Sequence, residues 1–152
     1  MKIIVSCCIQ KDGQFLMVQE ADKKDFGLWN FPSGNLEPYE NVFSGTKREV
    51  KEETGYDVQL TGLLTIHNCI RQNNPILRLV FTGEIISERE SYDTEEILQV
   101  KWIPKDEIET MGSRLKNPKS AFEILKSVQN NILFPLDIVK NIIINSESEE
   151  AK

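Results

Sequence analysis

Three glutamates, Glu49, Glu52 and Glu53, sit in the stretch REVKEETG, residues 48–55. In a helix the i, i+3, i+4 spacing gathers them within about 100° of arc. Like charges so placed repel by about 0.2–0.5 kcal/mol per pair. Oxygen donors on one ridge suit Mg²⁺ or Mn²⁺, which keep several waters and share substrate phosphates, and a bound dication would relieve the repulsion. The plainer reading is a solvated helix face laced by i,i+4 pairs such as Arg48–Glu52.

The surrounding residues decide between these readings. Gly34 is followed by five residues and Glu40, then by seven and Arg48-Glu49. Val50, one residue, Glu52-Glu53, one residue, Gly55 and the apolar Tyr56 complete the series. This resembles the Nudix box, G-x5-E-x7-R-E-U-x-E-E-x-G-U with U apolar, and every fixed position is filled. Seven specified residues have a chance of about 10⁻⁹ per starting position at ordinary usage. The box covers residues 34–56, the wider layout roughly residues 1–112, and the flanking LWNFPSG and EEILQVKWIP also look like that family's neighbourhoods.

The resemblance implies hydrolysis of a diphosphate bond in a nucleoside diphosphate derivative, with Mg²⁺ or Mn²⁺ as cofactor. It assigns metal binding to Glu49, Glu52 and Glu53, with a further contact from the Ser33 backbone carbonyl, and gives Arg48 the task of orienting the glutamates. Glu40 is expected to support the cluster or to favour the helix N-terminus by its charge. Gly34 and Gly55 are expected to serve a close backbone approach and a helix stop. The general base is either a box glutamate or one from the loop before the last strand, where Glu95 and Glu96 stand; Glu96, six residues before Trp102, is preferred. Two departures stand out: Ser33 where relatives often carry glycine, and Gly45 where alanine is common and glycine costs about 1 kcal/mol in a helix. Packing against the sheet is the expected reason for Gly45.

Substrate choice must come from outside the box. Phe26, Trp29 and Phe31 are aromatic faces on which a base would stack, although aromatics near strands more often belong to a core. Arg71 and Arg78 are candidate phosphate contacts, and His67, the sole histidine, is read as a packed or edge residue. The leading expectation is a nucleoside triphosphate, with oxidised triphosphates included. ADP-ribose, nucleotide sugars and dinucleotide polyphosphates are alternatives that the box itself does not separate. A nucleotide-sensing module without hydrolysis would have been favoured by lost carboxylates, and none is lost. An isomerase would need further acid–base groups that the sequence does not offer.

Those residues need a scaffold. IIVSCCI (3–9) and FLMVQE (15–20) are β-like runs joined across Asp12-Gly13, a hairpin signal. Residues 21–40 read as a punctuated loop with a short strand at LWNFP. A helix follows from an Asn41 cap to Thr54 and stops at Gly55. YDVQLTGLLTIHNCI and ILRLVFTGEII are long strands across the turn RQNNP, and LQVKWIP is another before a helix opened by Pro104. Residues 118–130 and 135–144 are expected to be helices, the latter presenting Leu136, Val139, Ile142 and Ile143 on one face that packs on the domain, covers the substrate or forms a homodimer. The fold class is thus α/β (α+β), and the resemblance implies a mixed β-sheet between helices, an α/β/α sandwich. One domain over residues 1–145 with an acidic disordered tail at 146–152 is the expected organisation.

The 152 residues, 39% hydrophobic and 28% charged, are enough for one real core. A net charge of −6 argues against a nucleic-acid polymer or an anionic membrane as partner, and with it against messenger-RNA decapping. A small nucleotide reached through metal ions is the compatible partner. No stretch has the length of a signal peptide or of the ~20-residue membrane span. Cys7 and Cys8 point to opposite faces of a strand and are poorly placed to pair with each other. With Cys69 they read as reduced thiols of a cytoplasmic protein.

Overall fold

A computed structural model describes residues 1–145; the expected acidic tail lies outside the described residues. Strand β1 (Lys2–Lys11) and strand β2 (Gln14–Glu20) form a hairpin. Its two turn residues, Asp12 and Gly13, have φ of 52° and 75°, the paired positive values of a type I′ turn. The two strands pair only beside this turn, at Gln10–Phe15 and Lys11–Gln14, and then diverge. Into the fork go two short strands from the punctuated loop. β3 (Trp29–Asn30) pairs with β2, and β4 (Ser33–Asn35) pairs with β1 at Ile4–Asn35, Val5–Gly34 and Ser6–Ser33.

β5 (Val58–Arg71) and β6 (Asn74–Ile85) make a long antiparallel pair, and β6 lies parallel to β1 over Lys2–Ile9. β7 (Ile97–Pro104) pairs antiparallel with β2 along its whole length. The result is a mixed seven-stranded sheet, its parallel β1–β6 pair joined by a connection that includes the helix between β4 and β5.

That helix, α1 (Val42–Thr54), begins at Asn41, whose side chain accepts the Ser44 amide at 2.8 Å. It stops at Gly55, φ 78°, whose amide donates to the Lys51 carbonyl. Its buried side includes Thr46, Glu49, Val50, Glu53 and Thr54, the 3–4 spacing of a core-facing stripe with two carboxylates in it. Val50 is fully buried among Cys7, Ile9, Leu16, Leu63 and Phe81, a burial that contributes about 1.5–3 kcal/mol. On the opposite sheet face α2 (Lys105–Thr110) and α3 (Pro118–Gln129) cover Cys8, Phe15, Met17, Phe31, Leu64 and Val80. Helices therefore lie on both faces, as the sandwich reading implied. Cys7 and Cys8 fall in the two opposite cores.

The helix expected over 135–144 is not formed. Leu136–Ile138 makes a single 3₁₀ turn, and beyond it residues 139–145 are irregular. Just before it, Phe134 exchanges both backbone hydrogen bonds with Leu63 at 2.8 Å, which holds the chain extended along the β5 edge. The β-branched run of Val139, Ile142, Ile143 and Ile144 has little helix propensity to oppose this. Leu136 and Val139 pack on the α1-side core as the apolar stripe suggested, while Ile142 and Ile143 are exposed.

Gly45 is also explained differently from expectation. A Cβ there would approach Leu36 Cδ1 at 2.7 Å and Glu40 Oε1 at 2.8 Å, so the close neighbour is the loop entering α1, not the sheet. Gly55 has two reasons to be glycine: its left-handed backbone, and the Glu90 carbonyl that a Cβ would strike. We expect Gly55→Ala to lower unfolding free energy by about 1–3 kcal/mol in urea denaturation. A change within a few tenths of a kcal/mol would show that the turn relaxes freely.

Candidate active site

The fork in the β1–β2 hairpin sets β4 directly against α1, and the box residues meet there. The Glu49 carboxyl group lies on the Cα of Gly34, so close that any Cβ on residue 34 would coincide with it. Gly34 is therefore a seat for a carboxylate. One residue earlier, the Ser33 amide donates to Glu53 Oε1 at 2.8 Å. This amide contact is what the structure records at Ser33, where a role for the carbonyl was expected. Asn30 Nδ2 donates to Ser33 Oγ at 3.0 Å and steadies the same turn.

Arg48 binds the box together. Its Nε and Nη2 grip Glu40 at 3.0 and 2.7 Å in a two-pronged pair. Nη1 donates to Glu49 Oε1 at 2.8 Å and to Glu52 Oε2 at 3.2 Å, and Nη2 reaches the Asn35 carbonyl at 3.0 Å. One guanidinium thus links the entry loop, β4 and two carboxylates of the ridge. The Glu40 bonds raise the Arg48 pKa, and the Arg48 bond holds Glu40 below the usual carboxylate range.

The ridge is electrostatically strained. Glu53 is 4% exposed, and burial pushes its pKa well above the ordinary value, with Glu20 and Glu49 adding to the rise and the Ser33 amide opposing it. Burial raises Glu49 to about 7, against the pull of Arg48, and Glu52 and Glu96 add to the rise. Glu52 is the open member, its side chain 45% exposed.

Glu96 is brought to this cluster by main-chain bonds. The Glu90 amide donates to the Gly55 carbonyl, and the Asp93 amide to the Glu52 carbonyl, both at 2.8 Å. The loop before β7 thereby caps the C-terminus of α1. The Glu96 carbonyl accepts the Ala21 amide at 2.8 Å. Burial, Asp93 and Glu52 raise the Glu96 pKa. Its neighbour Glu95 is exposed like Glu96, its amide tied to Asp93 Oδ1.

Sequence reasoning missed Glu20 and Lys116. Glu20 ends β2 and is buried; Lys116 Nζ stands 3.3 Å from Glu20 Oε1 and 3.5 Å from Asp25 Oδ2. Burial raises the Glu20 carboxyl despite Lys116, and Glu53 feels both groups. Nothing local in the sequence marks a pair 96 residues apart; only the Trp29–Leu115 bridge and the Lys116 amide bond to the Trp29 carbonyl bring them together.

The outer candidates divide. Trp29 is 7% exposed, lies in the α3-side core and has Lys101 Nζ 5.9 Å from its ring centroid. Phe31 is 1% exposed in the same core. Neither ring offers a free face, which corrects the stacking expectation for both. Phe26 is 64% exposed. Arg71 sits exposed at the hairpin end of β5, four registers beyond the His67–Arg78 pair. Arg78 is buried and is taken up below.

The donor set fits a hard divalent cation. Glu49, Glu52 and Glu53 are oxygen donors on one ridge, and the cradle at Gly34 and the strained, buried carboxyl groups are what a cation would stabilise. Among the described residues no group of three acidic, histidine or cysteine side chains is already arranged to hold a metal ion; Arg48 and the Ser33 amide bond the ridge carboxylates. Surface hollows of about 370 and 320 Å³ lie away from this ridge, beside Gln10, Val128 and Asn131, and no box residue lines them.

A family model described as the NUDIX domain matches residues 2–127. The chain belongs to the Nudix family. Phosphatase NudJ of Escherichia coli (strain K12) is 31% identical over 140 residues, covering 90% of this chain and 89% of that protein. The solved NUDIX hydrolase from Nitrosomonas europaea superposes with a TM-score of 0.86 at 26% identity, over 93% of this chain and 97% of the other. A bifunctional NMN adenylyltransferase/ADP ribose pyrophosphatase from Francisella tularensis, solved with AMP and a Mn ion, shares the fold at TM-score 0.66 and 21% identity, over 84% of this chain and 41% of that one. This Nudix chain is accordingly a pyrophosphohydrolase of nucleotide derivatives.

Two outcomes test the geometry. Gly34→Ala should displace the Glu49 carboxylate and lower kcat of the hydrolase by about 10-fold or more while the protein still folds by circular dichroism; unchanged kcat would remove the cradle from the mechanism. The raised carboxyl groups bind protons more tightly folded than unfolded, so their protonation stabilises the fold below pH 4.5 and that stability is lost as pH rises through the folded pKa. Glu49 places this window between about 4.5 and 7. Glu20, Glu53 and Glu96 share the sign, and Glu40 opposes it only at lower pH. In EDTA, Tm should fall as pH rises from 5 to 8, and excess Mg²⁺ should remove much of that fall; a flat or rising Tm in EDTA would contradict the strain.

Proposed function

We propose that this Nudix hydrolase is a divalent-metal-dependent enzyme whose substrate is a nucleoside triphosphate, oxidised forms included, cut at a diphosphate linkage. The observation that carries the metal reading is the Gly34 cradle: a backbone position kept free of any side chain so that the Glu49 carboxyl group can sit beside buried Glu53 and open Glu52. The Mn ion bound by the Francisella fold relative supports the same choice. The Escherichia relative, a phosphatase, favours a reaction that releases phosphate.

In this reading Glu49, Glu52 and Glu53 hold Mg²⁺ or Mn²⁺. When bound, the cation supplies charge neutralisation for the polyphosphate and a lowered pKa for water. Arg48 fixes the directions of Glu49 and Glu52 and keeps Glu40 on the same guanidinium. The Ser33 amide holds one Glu53 oxygen and leaves the other free. Glu96, with its raised pKa and partial access to water, is the group to take the proton from the attacking water. Lys116 and Glu20 set the field behind Glu53.

The test is release of phosphate and nucleoside monophosphate across a panel of canonical and 8-oxo triphosphates, ADP-ribose, nucleotide sugars and diadenosine polyphosphates, with Mg²⁺, Mn²⁺ or EDTA. Turnover should need the metal and favour triphosphates, and Glu53→Gln should cost about 10²–10⁴ in kcat. Equal turnover in EDTA would sink the metal reading. Strong preference for another class would replace the substrate.

A further inference from the structure

Arg78 is out of place for a residue with no ligand to bind. It projects from β6 beneath the start of α3 and is 8% exposed. Its Nη1 donates to Ser120 Oγ at 2.6 Å, and its buried Nε has no partner. Among the described residues it forms no ion pair. A buried cation normally has a carboxylate beside it, because desolvation opposes an unpaired charge.

The neighbours repeat the pattern. His67, directly across from Arg78 on β5, has Nδ1 2.9 Å from Ser120 Oγ, while its buried Nε2 also lacks a partner. Burial and Arg78 lower the pKa of this imidazole. When Ser120 accepts from Arg78 and donates to Nδ1, the proton of the ring resides on Nε2, so both orphan atoms are donors. Ser120 lies in the first turn of α3, whose Asn117 cap makes no side-chain bond and whose first turn has no acidic residue. Pro118 has no amide hydrogen and the Ala121 amide donates to the Asn117 carbonyl at 2.9 Å, so the opening turn offers the amides of Lys119 and Ser120 alone, at the positive end of the helix dipole. The nearest acidic influence on His67 is Glu123, on the surface one turn further along α3.

The position adjoins the strands that carry the Gly34 cradle. Ile4 on β1 pairs with Asn35 of β4 on one side and with Arg78 of β6 on the other. Two strand spacings, about 10 Å between backbones, therefore separate Arg78 from the β4 segment that carries Ser33 and Gly34; the Arg78 side chain faces α3, while α1 packs on the other sheet face. We infer that Arg78, His67 and Ser120, with the Lys119 and Ser120 amides of α3, form a second anion subsite, which holds a phosphomonoester on the uncut part of the substrate. It rests on the hydrolase reading for its role in catalysis, but not for the binding itself. The preferred substrates then carry a phosphate in addition to the diphosphate that is cut.

The sole histidine makes this directly observable. In metal-free protein with EDTA, inorganic phosphate should shift the His67 ring signals in ¹H–¹⁵N spectra in a saturable way. Arg78→Gln should weaken that binding about 10- to 100-fold; Ser120→Ala, a milder change, serves the same purpose if Arg78→Gln does not fold. In the metal-loaded enzyme, NADPH and NADH form a pair differing by one phosphomonoester. We expect kcat/KM to favour NADPH about tenfold or more and the ratio to fall to near one in the variant. No saturable shift, a shift unchanged in both variants, or equal kcat/KM for the pair would overturn the subsite as proposed. An Arg78-dependent shift without hydrolysis of any panel member would instead leave the binding site standing and overturn the reading of its substrate.

Discussion

Everything at the catalytic ridge depends on how closely α1 can approach β4. The helix brings two carboxyl groups to its buried face, an arrangement that desolvation opposes. It is tolerated because strand β4 offers a residue with no side chain at Gly34 and a backbone amide at Ser33. Arg48 then ties the outer carboxyl groups to the entry loop. The approach itself follows from the hairpin fork, since β4 reaches α1 only because β1 and β2 separate after two paired residues.

The site was legible in the sequence where its logic is local. The spacing of Gly34, Glu40, Arg48, Glu49, Glu52, Glu53 and Gly55 encodes one loop, one helix and one stop, and the capping residues Asn41 and Gly55 act where their types say they should. The hairpin turn at Asp12-Gly13 and the opposite faces of Cys7 and Cys8 are local in the same sense. The sandwich followed from the family resemblance more than from periodicity.

What stayed hidden depends on contacts between distant segments. Glu20 meets Lys116 and Arg78 meets Ser120 only after the sheet and α3 have assembled. Trp29 and Phe31 sit in a stretch so rich in Gly and Pro that it reads as surface loop, yet the fork turns them inward. For residues 135–144 the apolar spacing fitted a helix, but the backbone pairing of Phe134 with Leu63 decided the path first. Periodicity reports which side chains want burial; it does not report which backbone groups still need partners.

The loop before β7 is tied to α1 by its own amides, at Glu90 and Asp93, with Lys51 reaching Glu90 and Asp57 as an accessory. Since amides are common to every residue except proline, these two ties place no demand on the side chains at 90 and 93 beyond the exclusion of proline. Glu96 therefore owes its post to main-chain anchorage, and a substitution at either tie would dislodge it chiefly by removing an amide.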